Sequence, residues 1–442
     1  MRNARWLLCV IVTTLVGLGL ATTPFEAAAQ PVTLQILSAE GDPNSVAAMK
    51  WVIAEFKKVR SHVDVEYQTV SWTELGKRIV ASTAAGSPPD IVHLDDFGLS
   101  VLADQGILEP ADDVVRAIGI DDYNPTALRA VTFKGTVWGV PFSNGFDLFW
   151  YRKDLYDKFG LKPPKTWDEL LHNVKTLHGN LPGVGQMYGI AMALNTSNHT
   201  NDTIQNFMWS NGATILDKDG KLALNSPEAI QAYNFQKELF KYAPPGVAQY
   251  GHLEVLNAFA TGKVAHSNYA ARMILHVMRN NPQLADSVGA MGVKPLGPST
   301  KARPVTILFT KAWGFPKGTK HLALAKEFVQ FLQTGEREVR WLHSVPIHFW
   351  PPRKSTAAAT AYRQNPIVQG PLGREAARAS ADEALPNAQP QLSEAGVVNA
   401  NTFKILQAHV LPKMMQKIVL GNVPTGQAVA EAMREAQEIL SR

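Results

Sequence analysis

Between Val32 and Leu94 the hydrophobic period switches repeatedly between two and 3.6 residues, and this alternation constrains the fold more than any motif does. Val32–Leu37 reads as a strand. Val46, Met49, Val52, Ile53 and Phe56 recur at helical spacing, and Val63, Val65 and Tyr67 alternate as a half-buried strand. Leu75 and Ile79 mark a second helix, ended by Gly86-Ser87-Pro88-Pro89, before a short buried strand at Ile91–Leu94. A βαβαβ order predicts a largely parallel sheet with helices on both faces. Such sheets bind ligands beyond the carboxyl ends of their strands. Here those ends carry Ser38 and Glu40, then Ser71 and Trp72, then Asp95 and Asp96, so polar and aromatic groups converge on one rim.

The chain begins with a leader-like segment. Arg2 and Arg5 precede an apolar run, Trp6–Leu20, and Ala27-Ala28-Ala29 offers a small-residue cleavage site before Gln30. The run is too short to span a bilayer comfortably, so residues 1–29 are expected to be a removed signal peptide and the mature protein periplasmic. Cys9 is the only cysteine; it lies near the start of the run, not at the cleavage site where a lipid would be attached. The mature chain would then lack both disulfides and thiolate chemistry. The formal charge of +5 is mild and dispersed, with no basic block interleaved with aromatics, so no nucleic-acid partner is expected. A chain of 442 residues exceeds what one core usually serves, and two domains are expected.

From Gly135 to Leu170 the pattern changes. A buried run, Val137–Val140, is followed by Ser143, Asn144 and Asp147, read as a polar turn, then by an aromatic run, Leu148–Tyr151, and a helix start, Arg152–Lys158. Thr166 and Glu169 have capping-box spacing and open another helix. Further helices are expected at Thr203–Asn211, at Ser226–Tyr242 with Pro227 at its first position, and at Leu253–Thr261 closed by Gly262. Val264–Ser267 and Val305–Phe309 read as strands, and Thr319–Leu332 as an amphipathic helix. Lys354–Ala400, rich in Ala, Pro and polar groups, reads as loops and short helices. Two final helices are expected, Thr402–Leu420 and Thr425–Leu440.

Several segments in this order resemble the sugar-type extracellular solute-binding proteins of ABC importers, family one. They are Gly86-Ser87-Pro88-Pro89-Asp90-Ile91, Gly106-Ile107-Leu108-Glu109-Pro110, the Gly135–Leu170 stretch, Phe259-Ala260-Thr261-Gly262-Lys263-Val264-Ala265, and Pro351-Pro352-Arg353-Lys354-Ser355. The resemblance implies a two-lobed α/β periplasmic-binding-protein fold of type II, each lobe a mostly parallel sheet flanked by helices, joined by a hinge. It implies an N-terminal lobe of 30–141 plus about 306–360 and a C-terminal lobe of 142–305 plus about 361–442. It further implies a monomer without a cofactor that captures a small carbohydrate, a di- or oligosaccharide, and delivers it to importer membrane subunits.

The resemblance and the residue chemistry together nominate a site. Sugars need carboxylates or amides that pair hydroxyls, and rings that cover C–H faces. Asp96 supplies a strand-end acceptor, or else caps the following helix; Asp95 competes for both roles, and Glu40 is a ligand group or a solvated loop carboxylate. Asn144 can donate and accept, and Asp147 follows it; both could instead serve only the turn. Tyr269 stands where the family usually presents a tryptophan, and Arg272 could meet an anionic ligand bidentately or form an inter-lobe salt bridge. Trp313, Trp209, Trp350 and Trp72 are candidate stacking rings or buried core residues, whereas Trp150, Tyr151 and Trp167 read as packing. The rival ligand is a polyol phosphate or other anion held by Arg272 with Arg353 or Lys354. The rival class is a secreted glycoside hydrolase, but Asp95 and Asp96, as neighbours on a strand, would face opposite ways. No G-x-S-x-G, H-E-x-x-H or Walker lysine is present, and the 12 histidines show no metal-ligand spacing. The sequons at Asn195, Asn198 and Asn201 read as a polar loop near the cleft.

Overall fold

The computed structural model describes residues 32–394 and 397–441; the expected signal peptide lies outside the described residues. The alternating N-terminal pattern folds as β1 (Val32–Ser38), α1 (Pro43–Val59), β2 (Val63–Thr69), α2 (Trp72–Ala84), β3 (Ile91–Asp95) and α3 (Asp96–Asp104). β1 lies between β2 and β3 and is parallel to both, with Val32 opposite Val63 and Ile36 opposite Ile91. Gly86, at a left-handed φ of 73°, turns the chain out of α2 towards β3.

Two long strands extend this sheet: β4 (Val140–Arg152) and, after β5 (His266–Ala270) and β6 (Val288–Met291), β7 (Thr306–Pro316). The order is β5-β4-β7-β3-β1-β2, with β6 also paired to β4. β7 runs antiparallel to both neighbours, so Lys311 lies opposite Asp95 on one side and Ser143 on the other, while Thr310 faces Asn144. This register gathers residues distant in sequence into one row.

The apolar side chains form separate cores. One joins β1–β3 and their helices to Phe142, Ala312, Trp313, Phe315 and the helix Leu322–Leu332. Two others lie on the far side of the strand crossings. The first is built around Phe149, Trp167, Phe207, Tyr233 and Met415, and the second around Phe146, Trp150, Phe259 and Leu308. β4 therefore changes core between Phe142 and Phe146, and β7 between Leu308 and Ala312. A strand crossing between cores must bury both faces, and every residue of β4 is buried.

That crossing corrects one sequence expectation. Ser143, Asn144 and Asp147 do not form a turn; they sit inside the continuous strand β4, which pairs with β7 at Ser143 and Asn144 and with β5 at Asp147. The last helices also differ from expectation. Thr402–Leu420 is interrupted, giving Ala400–Gln407 and Val410–Val419 with His409 at a left-handed φ of 53° between them. The polar loop expected near 195–201 is helical from Asn198 onward and opens α4 (Asn198–Ser210), which is buried from His199 to Ser210. The capping box forms: the Glu169 N–H donates to Thr166 Oγ1, and the Thr166 N–H to Glu169 Oε2, each at 3.3 Å. Trp167 stacks on Phe235 at 4.5 Å, as packing. No described helix is long and apolar enough to cross a membrane.

Candidate functional site

The rim beyond β1 and β3 is where charged groups from distant parts of the chain meet. Glu40, 2% exposed, accepts from Lys311 Nζ at 2.7 Å and from Arg272 Nη2 at 2.8 Å. Arg272 follows β5, and its other arm pairs with Asp42. The guanidinium thus spans from the second side of the crossing strands to the first. Burial pushes the Glu40 carboxyl up, but Lys311 and Arg272 outweigh it and hold the group well below the usual range. Lys311 Nζ also lies 5.1 Å from the Trp72 ring and 5.0 Å from that of Phe349. Trp72 is 42% exposed, with its edge against His93 at 4.9 Å.

The competition between the adjacent aspartates is resolved by helix geometry. Asp95 is the N-cap of α3, and its Oδ1 accepts the Gly98 N–H at 2.6 Å. Asp96 is the first residue of the helix, buried, and its Oδ2 has no hydrogen-bond partner. Burial, reinforced by the neighbouring Asp95 charge and by Asp202, raises its pKa well above the ordinary value; N–H groups of Asp96 and Thr310 offset only part of this. The Asn144 side chain lies beside the same Thr310. Its Oδ1 accepts from Thr310 Oγ1 at 3.1 Å, its Nδ2 is buried without a partner, and its backbone exchanges two hydrogen bonds with Trp350. An unpaired acceptor and an unpaired donor therefore flank one threonine where β3, β4 and β7 meet.

α4 and β5 supply the opposing wall. Asp202 accepts from Gln391 Nε2 at 2.6 Å and lies 3.7 Å from His199 Nδ1. Burial raises Asp202 to about 6, with His199 opposing. His199 meets the edge of the Tyr269 ring at 4.9 Å, and Tyr269 in turn senses the charges of Arg272, Asp202 and Glu40. Glu40, Asp95, Asp96, Asn144, Tyr269 and Arg272 are thus brought into one neighbourhood, with Trp350 adjoining Asn144.

Other nominated residues lie elsewhere or serve structure. Asp147 Oδ2 accepts from Asn206 Nδ2 at 2.5 Å and Asn268 Nδ2 at 2.7 Å, and Lys294 Nζ donates to its carbonyl oxygen at 2.5 Å. Only Asp147 Oδ1 lacks a partner. Trp313 is not a stacking platform: it is fully buried, sandwiched by Phe142 at 4.7 Å and flanked by Trp341 and His93. Trp209 is likewise buried against Val305, Ile307 and Phe309. Both rings already have their faces covered by core. Arg353 is committed to Glu338 and the Gln333 carbonyl, and Lys354 to the Asp121 carbonyl. A surface depression of about 460 Å³ near Tyr151, Pro163, Met291 and Leu296 lies apart from the rim, and none of its lining side chains carries an unpaired buried polar atom.

Sequence reasoning did not nominate Lys311, Thr310, His199 or Asp202. Lys311 was discoverable as the one charged residue in the apolar run Val305–Phe315, and the amide-rich stretch around Asn201 pointed to α4.

Two groups of elements joined by crossing strands, with unpaired buried polar groups where they meet, give the fold of the type II periplasmic binding proteins. The relatives of the chain agree in fold. A maltose-bound MalE3 from T. maritima superimposes with a TM-score of 0.76 at 20% identity, covering 92% of this chain and all of that one. A mannitol-bound ABC transporter solute-binding protein from Agrobacterium vitis S4 gives 0.73 at 21%, covering 93% and 98%. Residues 41–336 match the family model of bacterial extracellular solute-binding proteins, and the chain belongs to that family. A putative ABC transporter periplasmic-binding protein of Escherichia coli K12, YcjN, is 22% identical across 98% of both chains. A mannitol-binding protein of Pseudomonas aeruginosa is 27% identical over 49% of this chain and 47% of its own.

Proposed function

We propose that this chain captures a small neutral carbohydrate in the periplasm, as a monomer, and hands it to the membrane subunits of an ABC importer without chemical change. The observation that carries the reading is the pair of unpaired buried groups beside Thr310, Asp96 Oδ2 and Asn144 Nδ2. A ligand hydroxyl can donate to the first and accept from the second, and leaving either group unpaired costs about 1–3 kcal/mol. Tyr269, Trp350 and the exposed ring of Trp72 would cover sugar C–H faces. The lobes follow the sequence division, 30–141 with about 306–360 and 142–305 with about 361–442, and ligand favours closure by touching both. The relatives named for mannitol and maltose support a polyol or saccharide as the ligand class.

The charge arrangement disfavours an anionic ligand. Arg272 is already shared by Glu40 and Asp42, Lys311 by Glu40, and Arg353 by Glu338, so no guanidinium or ammonium at the rim is left unneutralised. A thermal-shift panel of sugars, polyols and their phosphates, with product analysis, tests the proposal. Stabilisation by an unmodified neutral ligand is expected. Stabilisation by phosphates alone, or consumption of the sugar, refutes it.

A further inference from the structure

We infer that Arg272 is a strap that holds the two walls of the rim together before any ligand arrives, so that the ligand-free protein rests closed and a ligand enters a minor open form. The inference rests on the two-walled reading above and not on the identity of the ligand.

The two ends of the strap are fixed to different cores. Arg272 stands between β5 and the helix Met273–Asn280, and its neighbours Ala271, Met273 and Ile274 are buried in the core of Phe146, Trp150 and Phe259. Glu40 and Asp42 link β1 to α1, whose apolar side chains belong to the core of Phe142 and Trp313. The loop between β1 and α1 is held in place from its own side: Tyr67 Oη donates to the Glu40 carbonyl at 2.8 Å, and the Glu40 N–H to Ser38 Oγ at 3.1 Å. Arg272 Nη2 donates to Glu40 Oε2 at 2.8 Å and Nη1 to Asp42, across 232 and 230 positions of chain.

Local structure does not account for this contact. Asp42 occupies the N-cap of α1, where an aspartate ordinarily accepts a helix N–H, yet its side chain makes no capping bond and pairs with Arg272 instead. Arg272 is the N-cap of its own helix, the end at which the dipole disfavours a cation. Each residue gives up local stability, and what both gain is the contact between the walls.

The connection between the walls is built to bend. Along β4 and β7, Lys311 lies opposite Ser143 but Ala312 opposite Pro141, so Phe142 is bulged out of the ladder where both strands change core. Opening at this bulge strands no buried charge. Glu40 keeps Lys311 Nζ at 2.7 Å, while Arg272 and Asp42, with side chains 18% and 35% exposed, return to water. A minor form in a two-state equilibrium of this kind is populated at about 0.1–10%. Ligand enters only that fraction, and its apparent affinity falls in proportion.

The test is the distance between spin labels on ligand-free protein, stripped by unfolding and refolding. The labels sit at Lys77→Cys on α2 and Met278→Cys on the helix after Arg272, both exposed positions, and beyond residue 29 the sequence has no cysteine of its own. The wild-type background should show one main distance, that of the closed structure. In Arg272→Gln a longer distance should rise from about a tenth of the population or less to more than half, with the circular dichroism spectrum retained. Asp42→Asn, which keeps the Glu40 arm, should give a smaller rise in the same direction. A wild type already mainly at a distance longer than the closed structure gives would overturn the inference. So would an unchanged distribution in Arg272→Gln or, should that variant not fold, in Asp42→Asn. Neither result bears on the carbohydrate reading, which the thermal-shift panel decides separately.

Discussion

Replacing Asp96 with asparagine should make the ligand-free protein more stable and the binding weaker, a combination that a structural residue cannot produce. Asp96 is buried beside Asp95, faces the charge of Asp202, and leaves Oδ2 unpaired. An unsatisfied buried polar atom costs about 1–3 kcal/mol, and a shape-conserving amide removes the charged part of that cost. For a chain of this length the unfolding entropy is about 0.9 kcal/mol per K, so Tm should rise by roughly 1–3 °C at pH 7. The sign with pH is determined too. The folded carboxyl has a raised pKa, so between the unfolded value near 4 and the folded one the native state holds a proton that the unfolded state has released. Wild-type stability therefore falls as pH rises through that window, and the advantage of Asp96→Asn should vanish near pH 4. Asp95, Asp202 and the backbone of Thr310 are the groups that set this behaviour. Scanning calorimetry at pH 4 and pH 7 reads the stability, and titration with the best ligand reads the binding, expected to weaken 5- to 150-fold for about 1–3 kcal/mol. A variant with lower Tm at pH 7 and unchanged Kd would refute the reasoning. Asp95→Asn keeps an N-cap acceptor but removes a carboxyl whose own pKa burial raises, so it too should raise Tm at pH 7, while leaving Asp96 in place and changing Kd little.

Four other outcomes follow from the same geometry. Arg272→Met leaves Glu40 and Asp42 without their shared partner, at a cost of about 3–5 kcal/mol for a buried pair. The expected readout is a larger radius of gyration of the unliganded chain in small-angle scattering, and an unchanged profile would mean that this contact does not hold the walls together. Trp313→Ala should cost about 3–5 kcal/mol by emptying a packed aromatic site, with Kd preserved at low temperature. Trp72→Ala, at an exposed ring, should leave Tm within about a degree and weaken binding at least threefold; the reverse pattern would exchange their roles. Asp202, raised to about 6, should give wild type a stability loss relative to Asp202→Asn that grows from about pH 4 to pH 6 and then levels off. It amounts to about 3 kcal/mol from a shift of roughly two units, with Asp147, Asp95 and His199 as the facing groups. A flat difference in urea denaturation across that range would remove Asp202 from the account.

The N-terminal order of strands and helices and the capping box at Thr166 were legible in the sequence. Each of these depends on side chains a few residues apart: a period of 3.6 or two, or a Thr and Glu three positions apart. Asp96 was also legible as a rim residue, because strand ends in such sheets converge. What the local pattern could not decide was which partner each polar group would meet. Ser143 and Asn144 look like part of a turn until β7 pairs with them over more than 150 residues of intervening chain, and Asp147 until β5 pairs with it. Trp313 looks like a platform until Phe142 and Trp341 enclose it. Arg272 reads equally as an anion receptor or a bridge until Glu40, 232 positions away, takes one of its arms. Periodicity reports which face of an element is apolar, whereas pairing, neutralisation and orphaned hydrogen-bonding groups depend on long-range register. The sequence alone therefore determined the class of fold and the rim at which these polar groups gather. Only the tertiary structure decided that the cations of that rim are already spent on Glu40 and Asp42 and that Asp96 is left without a partner.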